Sequence, residues 1–407
     1  MEKINRKEIA EVNNKILNAI KDEKKDPSNS LRKAFYFKGR KSNLIAKKVI
    51  EEFTEETDLV LDPFFGGGSF ILASLEANRF VEGIELDSYT YSIFKTLMTK
   101  VEEKLLANYF GIIENNVKEN VMKLYRTKCC GVENCFSKLL FDPEDGEYYE
   151  PIRNREFEDG KNVKLIEKCP VCGCKSKKFD DYDMEVLEST LKLDNSRFPT
   201  DKYIENSRIN ITSSTGADKY ERNFSERNKQ ALLIIQSEIN KLPKSKEKNF
   251  IQHALVSSLA LAKTSMYGSS TDILYHVIRE QGQEMNVWLL FEAKFKSMIK
   301  FQEEYANYLV KDINNNNIMK LTNASYSILK NTGKKYDMIY TDFPYTDQVP
   351  YLERNQLFRI WLENFSDKKF ELTDSMLEEE IVLTNAPSRI SKNKIDNYYY
   401  DLDKVFF

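Results

Sequence analysis

Histidine is almost missing from this 407-residue chain, which has only His253 and His276. Neither is needed as a metal ligand, and both are read as ordinary helix residues. Long apolar runs are missing too. No stretch approaches the roughly 18 residues of a membrane span, and charges stand where a secretory h-region would lie, so a cytoplasmic location is expected. A dominant charge sign is also lacking: 61 Lys and Arg face 64 Asp and Glu, for a formal net charge of −3. That balance argues neither for nor against nucleic acid, because binding needs a local basic face and not a basic total. Arg32, Lys33, Lys38, Arg40, Lys41, Lys47 and Lys48 form one stretch with no acid among them. It reads either as such a face or as a solvated surface.

What is present is an ordinary soluble composition, 31% charged and 41% hydrophobic, over a length that holds a full α/β domain and a sizeable insertion. Residues 3–24 place Ile4, Ile9, Val12, Ile16, Leu17 and Ile20 near helical spacing, which predicts an amphipathic leader helix. Residues 42–53 predict a second helix with Ser42 as its N-cap. Strand (59–62), glycine turn, helix (71–78) and strand (80–85) then open a parallel, doubly wound sheet. The pattern breaks for more than two hundred residues. A cysteine-bearing stretch (roughly 125–180), a polar stretch near 190–225 and helical runs near 226–242, 247–266 and 284–310 intervene before strands return at 318–324 and 336–340. The expected division is an N-terminal helix (1–30), a first sheet part (31–100), a cysteine insertion (120–182), a mainly helical insertion (183–312) and a second sheet part (313–407).

Two turns carry the chemistry. Asp62-Pro63-Phe64-Phe65-Gly66-Gly67-Gly68 follows the first strand, and its glycines let backbone approach a ligand where a side chain would collide. Ligands in such sheets sit outside the carboxyl ends of the strands, and Glu85, at the next strand's end, stands where an acid commonly binds a ribose hydroxyl pair. The second turn is Asp342-Phe343-Pro344-Tyr345, after an apolar strand. An exocyclic amine is a poor nucleophile because its lone pair is delocalised into the ring. Methylating it requires both amino hydrogens to be accepted and the nitrogen held in line with the methyl donor. The Asp342 carboxylate can accept one hydrogen and the Pro344 carbonyl the other, while Tyr345 can stack on a base taken out of the duplex.

Together the two turns resemble the cofactor and catalytic motifs of the DNA amino-methyltransferases, and the run from Thr346 to Glu353 with Trp361 resembles a subgroup with a zinc-ribbon insertion. The resemblance implies a Rossmann-like S-adenosylmethionine-dependent methyltransferase sheet interrupted by a zinc-ribbon and helical insertion. It implies transfer to the amine of a flipped base in double-stranded DNA, with the acid at 342 favouring adenine N6. It places Asp62, Pro63, Phe64, Gly66, Gly68 and Glu85 at the cofactor, with Asn323 standing where the family often has an acid for the adenine, and Lys38 in the family's upstream cofactor segment. Phe343 stands where the family has proline. An RNA base methyltransferase and a non-catalytic paralogue that binds DNA or a partner are the other readings.

All six cysteines fall between 129 and 174. Cys169-Pro-Val-Cys172-Gly has zinc-knuckle spacing, and Cys130, Cys135, Cys169 and Cys172 are expected to hold a structural zinc, with Cys129 as a substitute and Cys174 spare. Buried reduced thiols are the alternative. About sixty residues follow the catalytic turn and read as loop or helix, where such a sheet should gain further strands. The C-terminal strands are therefore expected to be missing, with a companion polypeptide as one way of completing the domain.

Overall fold

The computed structural model describes residues 6–21, 30–144, 148–150, 163–213, 216–264, 275–276, 282–331, 333–343 and 349–406. The chain opens with helices α1 (Arg6–Ile20), α2 (Ser30–Ala34) and α3 (Asn43–Phe53). The Ser42 hydroxyl caps α3 by accepting from the Ile45 amide at 3.2 Å, as the sequence suggests. Strand β1 (Leu59–Asp62), helix α4 (Ser69–Glu76), strand β2 (Phe80–Glu85) and helix α5 (Ser88–Met98) follow as a right-sized β–α–β–α unit. Asp87 starts α5 by accepting from the Thr90 amide at 2.9 Å.

The next segment runs through α6 (Glu103–Lys123), strands β3 (Arg126–Cys129), β4 (Val132–Glu144), β5 (Tyr148–Glu150), β6 (Val163–Leu165) and β7 (Ser176–Lys177), then α7 (Asp181–Thr190), α8 (Glu226–Lys241) and α9 (Lys246–Ala262). Strand β8 (Gly282–Glu284) and α10 (Val287–Glu304) close it. The main sheet resumes with β9 (Met319–Asn323) and β10 (Met338–Ile339), and helices α11 (Tyr351–Arg354), α12 (Gln356–Phe365), α13 (Asp374–Glu379) and α14 (Ile395–Phe406) complete the described chain.

The main sheet has the order β10-β1-β2-β9, every pair parallel. The segment between β2 and β9 is thus an insertion between the second and third strands, as expected. Its helices are not a separate body. Leu106 and Ile113 of α6, Ile235 of α8, Leu255 and Leu259 of α9 and Trp288 and Phe291 of α10 share one apolar cluster with Val81 of β2 and Leu321 of β9. A smaller cluster joins α3 and α4 to β1 through Ala46, Ile50, Val60, Phe70 and Ala73.

A second sheet carries the cysteines, ordered β3-β4-β6-β7, with β5 and β8 both paired to β4. Strand β8 ties it to the helical body, and Glu284 at its end forms a buried ion pair with Arg227 of α8.

His253 lies in α9, as the sequence suggests, but His276 is not helical. It is an extended residue whose ring stacks on Tyr203 at 3.8 Å between centroids and whose backbone bonds Ile209 and Ala217. Among the described residues no strand follows β10, and Ile339 on that outer strand is 61% exposed. No described helix is long and apolar enough to cross a membrane.

Candidate active site

The carboxyl ends of β1 and β2 and the residues just after β9 and β10 surround a half-open cavity. The glycine turn forms its floor. Gly66 and Gly68 have φ of +45° and +78°, the left-handed region that glycine enters without strain. A Cβ on Gly66 would lie 2.6 Å from the Phe37 ring, and one on Gly68 would run into Phe94. The glycines are therefore required by the protein's own packing as well as by any ligand. Phe37 in turn stacks on Tyr351 at 4.9 Å, and Arg40 donates to the Gly67 carbonyl from the same segment.

Six acidic residues line this cavity, Asp62, Glu85, Asp87 and Asp342 on the strand side and Glu379 and Glu380 opposite them. Glu85 accepts the Gly66 amide at 2.9 Å and the Asp87 amide at 2.8 Å, so it holds the glycine turn directly. Burial pushes its carboxyl up to about 8, with the Asp87 charge adding to the effect. Asp62, almost fully buried, accepts the Thr341 hydroxyl at 2.7 Å and the Phe64 amide at 3.2 Å. Burial raises it to about 7, and Asp342 pushes the same way. Among the described residues, neither Glu85 nor Asp62 has a cationic partner. Asp87 and Asp342 do: Arg359 pairs with the first, and the Lys41 ammonium lies 3.4 Å from the second.

The residues read from the sequence fall into three groups. Asp62, Pro63, Phe64, Gly66, Glu85 and Asp342 line the cavity together, and Gly68 shapes the turn from behind. Lys38 and Asn323 do not line it. Lys38 is exposed and offers its carbonyl to the Tyr351 hydroxyl, while Arg40 and Lys41 reach the cavity in its place. The Asn323 amide donates to the Glu85 and Leu86 carbonyls, bracing the end of β2, and Ala324, Ser325 and Tyr326 form the wall. Pro344 and Tyr345 lie outside the described residues.

Sequence reasoning missed the far wall. Leu352 and the segment Glu379–Ile381 line the cavity. Arg389 fixes this wall by pairing with Glu353 at 3.1 Å and Glu380 at 2.7 Å, and Glu380 also accepts the Leu352 amide. Thr341 was also missed, although its place beside Asp342 after an apolar strand was the available signal.

The cysteine sheet gathers four thiols: Cys129, Cys130, Cys169 and Cys172, with all sulfur atoms within 4.8 Å of one another. Cys129, read from the sequence as a substitute ligand, joins Cys130, Cys169 and Cys172 through the hairpin register. Cys129 and Cys130 occupy the β3–β4 turn, with Cys130 and Gly131 at positive φ, whereas Cys135 sits on β4 opposite Thr127, away from the turn. The Cys135 side chain is outside the described residues. Facing that turn is the loop Cys169–Cys174, closed by the Gly173 amide donating to the Cys169 carbonyl at 2.8 Å. Burial raises the Cys129 thiol, and a backbone hydrogen bond from Cys174 lowers Cys172 to about 6.

Residues 2–96 match the family model described as DNA methylase. No curated protein and no solved structure matches the chain.

Proposed function

We propose that this chain methylates the exocyclic amine of a flipped DNA base, adenine N6, at specific sites, a reading supported by the match of residues 2–96 to the DNA methylase family model. One observation carries the reading. The glycine turn and Asp342-Phe343, almost 280 positions apart, border one cavity, and Thr341 joins the two segments by its bond to Asp62.

The residues present fit S-adenosylmethionine. The cavity lies at the strand ends where such sheets bind ligands, and burial holds two of its carboxyls, Asp62 and Glu85, above their usual range. A cationic ligand about 4 Å from a partly buried carboxylate gains on the order of 4 kcal/mol of Coulomb attraction. When bound, S-adenosylmethionine supplies an electrophilic methyl group on a positively charged sulfur. Asp62 would face its cationic methionine end. Glu85 would accept from ribose hydroxyls, since each of its oxygens carries only one amide bond and keeps acceptor capacity. Asp342 would accept one hydrogen of the target amine, leaving the nitrogen lone pair localised for attack. Pro344 and Tyr345 take the second hydrogen and the stacked base by resemblance to the family.

The four gathered thiols also fit zinc. Tetrahedral thiolates about 2.3 Å from a metal stand about 3.8 Å apart, and Cys129 and Cys172 are already 3.7 Å apart. With four protein ligands no position is left for water, so the metal would hold structure and take no part in the reaction. Nothing among the described residues supports the companion polypeptide expected above.

The test is incorporation of tritiated methyl groups from S-adenosylmethionine into duplex DNA, with tRNA in parallel. Label in DNA lost on Asp342→Ala supports the reading. Label in tRNA alone, or tight cofactor binding without turnover on either, rejects it.

A further inference from the structure

Lys41 stands at the mouth of the cavity on an anchored backbone. Its carbonyl accepts the Ser69 hydroxyl at 2.9 Å at the start of α4, and the next residue, Ser42, caps α3. From there its ammonium reaches to 3.4 Å from the Asp342 carboxylate, with side chains 41% and 31% exposed. An ammonium offers only donors. That is the same hydrogen-bonding role the target amine must play at Asp342, so the two compete for one acceptor. A half-exposed pair of this kind is weak and exchangeable. Lys41 also belongs to the stretch from Arg32 to Lys48 that contains no acid, and a base cannot leave the duplex without bringing its flanking phosphates to the pocket mouth.

We propose that Lys41 is a positioning residue that holds the acceptor site of Asp342 before the base arrives, then moves to a phosphate beside the extruded nucleotide as the amine takes its place. The proposal rests on the methyltransferase reading. It accounts for a cation beside the one carboxylate that must be vacated, while Asp62 and Glu85, deeper in the cavity, have none.

The experiment measures duplex DNA binding by the full chain across a salt series, with steady-state methylation alongside, for wild type, Lys41→Met and Lys41→Arg. Losing one phosphate contact should lower the slope of log affinity against log salt by about one and raise the KM for DNA by about tenfold at low salt. Affinity for S-adenosylmethionine should stay within about twofold, as Lys41 acts on the target side. Lys41→Arg should restore the slope, which a loss of local structure would not. An unchanged slope in Lys41→Met, or a fall in kcat with KM for DNA unaltered, overturns the proposal, since Lys41 would then stay with Asp342 through the reaction. Wild-type protein that transfers no methyl to DNA removes the underlying reading and the proposal with it. Wild-type transfer with an unchanged Lys41→Met slope removes the proposal alone.

Discussion

The cavity and the cysteine cluster each crowd like groups together, carboxylates in one and thiols in the other, but they rest on different foundations. Beneath the cavity, β2 and β9 share an apolar cluster with the four long helices α6, α8, α9 and α10. Around the cysteines, the buried apolar cluster among the described residues is Cys129, Val163, Leu165, Cys169 and Leu187, with Phe179 packed against it, and two of these are proposed ligands. Asp62 and Glu85 stand without a cation among the described residues, at the cost of raised pKa values. On the reading proposed above, the cysteine sheet would instead gain a metal cross-link that supports its fold. One cation would be a substrate that comes and goes, the other a permanent part of the fold.

Removing an acceptor from the cavity should have the largest effect on activity and almost none on structure. Asp342→Ala should lower methyl transfer by about a thousandfold or more and leave S-adenosylmethionine affinity within a few fold in calorimetry. Near wild-type turnover would take this turn out of the active site. The metal should show the opposite pattern. Freshly purified protein should contain about one zinc per chain, and Cys169→Ser or chelation should release it. Amide protection should then disappear from β3 and β6 while β1 and β2 keep theirs. Loss of protection in both sheets would show that β8 and the Arg227–Glu284 pair couple them into one cooperative unit, and the contrast drawn above would fail.

A smaller effect is expected at the turn. Gly66→Val should weaken S-adenosylmethionine binding by about 1–3 kcal/mol, the usual range for overpacking, because the new side chain meets Phe37. Phe37→Ala in that background should recover part of the loss. No recovery would mean that the collision is with the ligand alone.

The smallest effect is proton linkage. Asp62 and Glu85 titrate near 7 and 8 in the folded chain, against about 4 in an unfolded one. Folded protein thus binds more protons than unfolded between those limits. The contribution of these groups to stability is complete below about pH 4 and is lost as pH rises through 7 and 8. A cationic ligand reverses the preference by favouring the ionised forms. S-adenosylmethionine affinity should then rise between about pH 6 and 8, by at most tenfold per unit for each proton released. Calorimetry in buffers of different ionisation enthalpy reads the protons directly, and affinity that falls over this range would place the cation elsewhere.

Short-range order explains which parts were legible in the sequence. The Asp62–Gly68 turn and Asp342-Phe343 each follow an apolar strand, and local chain geometry is enough to bring them to the strand ends. Ser42, the leader helix and the three long helical runs were legible for the same reason. What spacing did not reveal depends on register or on distant partners. Cys129 meets Cys130, Cys169 and Cys172 because a hairpin turn, and not spacing alone, decides which thiols come together. Lys38 and Asn323 sit one or two positions from residues that do line the cavity, and a strand end or turn changes side-chain direction within that distance. Glu353, Glu380 and Arg389 form a buried triad with no local pattern to announce it.

The parallel pairing of β1 with β10 also governs when this protein can exist during its own synthesis. The Leu59 amide bonds Asp337 across 278 positions. At roughly 5–20 residues per second, a ribosome needs about 15–55 seconds to deliver that partner after β1 emerges. During that wait β1 and β2 are complete as a pair but open at both edges, the state most prone to wrong pairing. The helices that share the apolar cluster with β2 are translated inside the same interval. The order of the chain thus hands the nascent sheet a cover before it hands it the strands that complete the parallel order.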